Sequence, residues 1–226
     1  MFVTTGQAGS ALGCSIPTVK KLMATGVVPG VRGTGRQVFP LAALQALQDR
    51  PVADLGGLGT VEVAVLRSDA LRRVDEPGRE WVGFGTALDD AQLLASLSGW
   101  WRCDPARVAA GGVLPVTVAG FVVAVLTGLT PWESDGAAGT AARFRFPAAR
   151  LAGRLTDLTA PANAVGPADP QDARLADLLL GTRLPSVSGG PIAYVPTASV
   201  AAPVAAPVAA SVAASVAAAV VAAEGE

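Results

Sequence analysis

The tightest constraint on the fold of this chain is the order of helix-start and helix-stop residues at its beginning. Thr4 followed by Gln7 has the spacing of a capping box, in which the hydroxyl caps one amide and the glutamine side chain reaches back to another. Val3, just before the cap, can staple onto Ala8. These signals predict a first helix over residues 5–12 that buries Ala8, Ala11 and Leu12, and Gly13 stops it as a left-handed residue would. Ser15 then caps a second helix, with Pro17 tolerated in its first turn. Val19, Leu22 and Met23 fall at i, i+3 and i+4 and should face a core, and Gly26 ends the helix.

That phasing leaves Pro17, Thr18, Lys20 and Lys21 on the outer side of helix two. Two short helices joined by a tight turn make a helix-turn-helix, whose second helix enters the major groove. Next, Val31-Arg32, Gly33-Thr34-Gly35 and Arg36 to Phe39 predict a β-hairpin with a glycine-rich tip flanked by Arg32 and Arg36. Pro40 opens a third helix with Leu41, Leu44 and Leu47 along one side.

On Thr4, Gln7-Ala8, Leu12-Gly13, Ser15, Thr18-Val19, Gly26, Pro29, Gly35-Arg36 and Pro40, the segment resembles the excisionase/MerR-like winged helix-turn-helix family. The resemblance covers about a fifth of the chain. It implies that helix two (15–25) reads the major groove and that the wing (27–39) tracks the backbone or the minor groove. The DNA-binding residues expected on this basis are Ser15, Pro17, Thr18, Lys20, Lys21, Arg32, Thr34 and Arg36. Two positions depart from the family. Gly9 stands where alanine is usual, at a cost of about 1 kcal/mol in helix propensity. Cys14 replaces a buried valine and reads as a small core residue rather than a redox sensor.

Charge points the same way. Net charge is −1, yet residues 1–50 hold Lys20, Lys21, Arg32, Arg36 and Arg50 against Asp49 alone, a local charge of +4 that leaves −5 for the rest. A basic module on an acidic body suggests a local polyanion site. The abundance of Ala, Val, Gly, Arg and Pro fits a GC-rich bacterial genome. There is no histidine, which removes Ser-His-Asp and Cys-His catalysis and histidine-containing metal sites. The two cysteines, Cys14 and Cys103, form no CxxC, so neither a zinc site nor a disulfide framework is indicated. P-loop, GxGxxG and GxSxG motifs are missing. No catalytic residue, cofactor or metal is expected. The start of the chain lacks the basic and apolar regions of a signal peptide, so the expected location is cytoplasmic, at the nucleoid.

Beyond the module (1–53), residues 54–60 read as a linker and 61–150 as a small mixed α+β domain, open to a barrel-like form. Strands are expected at 61–67, 80–84, on either side of Ala119-Gly120 within 113–129, and at 143–146. Helices are expected at 89–97 and 104–109. The order of elements resembles PUA/ASCH-type small barrels, which implies a second, nucleic-acid-reading possibility for this part. Trp81, Trp100 and Trp101 invite a base-stacking role, but at least two of them should be core or interface residues. Asp89-Asp90 is helix-start chemistry and not an acid–base pair.

An extension (151–196) follows, with a connection at 151–165, a helix at 171–180 and a short strand at 192–195. Residues 197–226 are an Ala/Val/Pro-rich low-complexity tail, read as a disordered tail or partner helix and not as a membrane anchor. The fold class expected overall is α+β: an N-terminal winged helix-turn-helix, the small mixed domain and the tail. The function expected is sequence-specific binding of double-stranded DNA, as a transcriptional regulator. An excisionase-type recombination factor and a reader using the middle domain are the alternatives. A homodimer through the middle domain or tail fits paired half-sites.

Overall fold

In the computed structural model the described residues are 1–30, 37–76, 78–139, 142–187 and 190–197. Their fold is mixed α+β. The chain opens with a short strand β1 (Phe2–Thr4), followed by α1 (Thr5–Leu12), α2 (Ile16–Ala24), β2 (Val38–Pro40) and α3 (Leu41–Gln48). The expected capping box at Thr4 and Gln7 is formed, and Gly13 takes the left-handed conformation at φ 65° that ends α1. Ser15 caps α2 by accepting from the Thr18 amide at 3.3 Å. Val19, Leu22 and Met23 are buried, as are Ala43, Leu44 and Leu47 of α3.

The expected hairpin of Val31-Arg32 with Arg36 to Phe39 falls largely on 31–36, outside the described residues. Its described end, Val38–Pro40, pairs antiparallel with Phe2–Thr4, with Val3 opposite Phe39. The bond from the Leu41 amide to the Met1 carbonyl, 3.1 Å, extends that ladder. The physical reason is burial: Phe39 is fully enclosed, and the N-terminal segment is the strand that covers it. Arg32, Thr34 and Arg36, with the rest of 31–36, lie outside the described residues.

Residues 54–60, read as a linker, contain a 3₁₀ turn, Leu55–Leu58, capped by Asp54. Leu55 is buried there. The remaining strands are β3 (Glu62–Arg67), β4 (Arg72–Glu76), β5 (Arg79–Val82), β6 (Leu114–Val118), β7 (Phe121–Thr127), β8 (Glu133–Ser134), β9 (Phe144–Arg145), β10 (Arg150–Arg154) and β11 (Ile192–Pro196). The remaining helices are α4 (Asp90–Leu97), α5 (Pro105–Gly111) and α6 (Pro170–Leu179). Five strands form the main sheet in the order β10-β7-β6-β3-β11, with β3 and β6 parallel and the other neighbours antiparallel. Its end strands do not pair with each other among the described residues, so the sheet is open and not closed as a barrel. Residues 151–165, expected to be a connection, begin with β10, which runs across position 150 as an edge strand.

Both faces of this sheet are covered, which explains why the middle of β3, Val63 to Leu66, is apolar and buried without a break. Ala64 and Leu66 join the larger core cluster, whereas Val63 and Val65 point to a second one with Val122, Val125, Ala152 and Leu179. Along β7 the two-residue alternation slips once: Val123 and Ala124 both join the larger cluster. A β-bulge there, where the β6 register shifts between Val116 and Thr117, inserts the extra residue.

The larger cluster runs without a break from Val19, Leu22 and Phe39 to Phe84, Leu93 and Leu158. Backbone bonds stitch the end of α2 to the body: Thr86 donates to the Thr25 carbonyl at 2.9 Å and Leu158 to the Val27 carbonyl at 2.8 Å. Among the described residues, no helix is long and apolar enough to cross a membrane.

Candidate nucleic-acid interface

Helix α2 has two sides of opposite character. Its inner side, Val19, Leu22 and Met23, is buried, while Ile16, Pro17, Lys20, Lys21 and Ala24 are exposed. The exposed set follows the i, i+3, i+4, i+7 spacing of one helical stripe. The stripe is held rigidly at both ends. At its start, the Ser15 and Thr18 hydroxyls lie 2.9 Å apart and the Ser15 oxygen takes the Thr18 amide. At its end, the Thr25 hydroxyl donates to the Leu22 carbonyl at 2.6 Å, and Gly26 turns at φ 80° against Thr86.

The expected residues therefore divide. Ser15, Pro17, Thr18, Lys20 and Lys21 come together on one side of one helix, with Thr18 half-buried. Ser15 and Thr18 are partly committed to the cap, which limits them to secondary contacts through remaining lone pairs. Lys20 has no ion-pair partner among the described residues. Lys21 does have one: Asp69, whose carboxylate lies 2.5 Å from its ammonium. Both side chains stay more than half exposed, so this pair contributes little to stability.

No family model, curated protein or solved structure matched this chain.

Three residues beside the stripe were not foreseen. Arg67, Asp69 and Arg72 come from the body, on β3, the turn after it and the start of β4, and with Lys21 they line one cleft. The turn is held from both directions. Ser68 donates to the Thr117 carbonyl at 2.8 Å, and the Asp69 carbonyl accepts from Phe84 at 2.8 Å. Gly83 makes the close approach possible: at φ 103°, an added Cβ would lie 2.6 Å from the Ala70 carbonyl oxygen. No signal local to residues 15–25 could have revealed these side chains. Arg50, counted with the basic module, is turned inward, with its Nε buried and without a hydrogen-bond partner.

The other sequence candidates settle as structural parts. Trp81 and Trp101 pack against the larger core cluster, and Trp100 lies under the Arg145 guanidinium, 4.9 Å from its ring centroid. Asp89 caps α4 in a second capping box with Gln92. Both cysteines are free thiols. Burial pushes the Cys14 thiol up, and burial together with neighbouring Asp104 pushes Cys103 to about 11. Thiols held protonated in this way are poor nucleophiles and poor redox sensors.

Proposed function

We propose that this chain is a DNA-binding regulator that lays the outer side of α2 in the major groove of double-stranded DNA. The observation that carries the reading is the exposed stripe on α2. A helix buried along one side and capped at its start offers Pro17, Lys20 and Lys21 to the outside, and no acid lies on α1, α2 or the turn between them. An α-helix with its side chains matches the width of the major groove, about 12 Å. Residues near its start would meet base edges, with Pro17 and Thr18 offering apolar and hydroxyl contacts. Lys20 and Lys21 would neutralise flanking phosphates.

In this reading Arg32, Thr34 and Arg36 make the wing contacts, and paired half-sites imply a two-fold dimer. The reading includes no enzymatic step. Chemistry would have to come from residues outside any constellation of nucleophile and base, whereas binding needs only shape and charge.

The test is a salt titration on the best site recovered by pulling down bound genomic fragments. Each phosphate contact adds about −0.9 to the slope of log affinity against log salt. The double variant Lys20→Ala/Lys21→Ala should bind more weakly, with a slope flatter by up to about two units. An unchanged slope means that these lysines touch no phosphate, and the reading fails.

A further inference from the structure

We propose that the cleft between α2 and the β3–β4 turn binds a small organic anion with a flat, apolar body. The cleft has a volume of about 390 Å³, within the range of small-ligand sites, about 300–1,000 Å³. Its rim and floor differ in chemistry. Lys21, Arg67 and Arg72 stand on the rim, where Asp69 is the one acid among the lining residues, a net charge of +2. The floor is apolar, formed by Leu66, Leu97 and Val82 with the Trp101 side chain.

The rim cations come from three separate segments. Like charges brought to one rim give it a positive local field that attracts an anion. Asp69 gives a partial answer inside the protein through Lys21, and Arg67 also donates to the Gly190 carbonyl at 3.5 Å. The Lys21–Asp69 pair is exposed on both sides, so an incoming phosphate, sulfonate or carboxylate can take Lys21 from Asp69 at little cost. Bidentate hydrogen bonding from Arg67 and Arg72 would strengthen the exchange.

The floor argues for a ligand with a body and not for a bare ion. The Trp101 backbone is paired with Phe144 by two bonds of 2.8 Å and its side chain packs against the larger core cluster, so the part of the ring that lines the cleft is already ordered. A duplex backbone offers only sugars and phosphates to such a hollow, which leaves the apolar floor unmatched. A larger groove of about 940 Å³ lies between the β4–β5 hairpin and α4, but Asp75, Glu76 and Glu80 outnumber Arg73 and Arg79 among its lining residues, so it does not favour an anion.

Lys21 belongs both to the exposed stripe of α2 and to this rim. An anion bound here therefore competes for a phosphate contact and lowers affinity for DNA. That coupling rests on the function proposed above; occupancy of the cleft does not.

The test uses the full chain and anilinonaphthalene sulfonate, a flat apolar anion that fluoresces when shielded from water. Saturable one-to-one binding is expected, with energy transfer from tryptophan that falls in Trp101→Phe. Arg67→Ala/Arg72→Ala should lose about tenfold or more in affinity, and Asp69→Asn should bind more tightly. Should the double variant fold poorly, Arg72→Glu, a charge reversal at an exposed side chain, carries the same expectation. Wild-type affinity in whichever of these folds, or several equivalent weak sites, overturns the proposal. Adding the probe to a protein–DNA titration separates the two readings. Probe binding by a chain that binds no DNA leaves the cleft standing and removes the regulator.

Discussion

At the scale of single residues, small polar side chains decide where helices begin. Thr4 takes the Gln7 amide at 3.2 Å and its own amide donates to the Gln7 side chain at 2.9 Å, so both partners are satisfied by groups three residues apart. Replacing Thr4 with alanine removes the cap, and a loss of about 1 kcal/mol in unfolding free energy is expected from urea denaturation. A Thr4→Ser variant, which keeps the oxygen, should retain most of that stability. The thiol of Cys103 obeys different physics. With its pKa near 11, only about one molecule in a thousand carries a thiolate at pH 8. Alkylation by iodoacetamide should therefore be slow at neutral pH in the native protein and fast once urea exposes the thiol. The sign for stability follows: the raised pKa favours the neutral thiol, so its contribution is intact below the unfolded value near 9 and is lost as pH climbs towards 11.

At the scale of elements, close backbone approach matters as much as side-chain burial. Gly83 lets β5 run into Phe84 while the Asp69–Ala70 turn passes directly above it. An alanine at 83 would adopt a strained φ and overlap the Ala70 carbonyl. A destabilisation of at least about 1–3 kcal/mol is expected, measured as a lower thermal midpoint. Because the turn carries Asp69, the same substitution should shift the carboxylate away from Lys21. The sheet shows a related effect. β3 is apolar from Val63 to Leu66, and two cores take its opposite faces, Val63 and Val65 on one and Ala64 and Leu66 on the other. Period-two alternation distinguishes the two faces of such a strand; whether both are buried depends on what covers them.

At the scale of the whole molecule, the larger core joins α2 to the body in one contiguous cluster. Leu22 is fully buried in that cluster and is not one of the exposed residues of the stripe. Leu22→Ala should cost about 2–5 kcal/mol. Every tryptophan lies beyond residue 80, in the body. If the cluster is one cooperative unit, far-UV circular dichroism and tryptophan fluorescence should report the same transition, and Leu22→Ala should lower both midpoints together. Separate transitions, with only the dichroism shifted, would mean that the first helices open independently of the sheet.

The legible part of this protein was its local chemistry. The caps at Thr4 and Ser15, the helix starts near Asp89 and Asp104, the stop at Gly13, the inward residues of α2 and the hairpin at Ala119-Gly120 are all set by neighbours within a few positions, where hydrogen-bond geometry and side-chain periodicity operate. The outward stripe of α2 followed from the same phasing. Tertiary structure alone decided what stands beside it. Asp69 reaches Lys21, Arg67 and Arg72 share its cleft, and Phe39 pairs with Val3 because folding brings distant segments together to bury apolar surface. Hydrophobic burial has no direction along the chain, so periodicity could show which residues turn inward but not which partners they would meet.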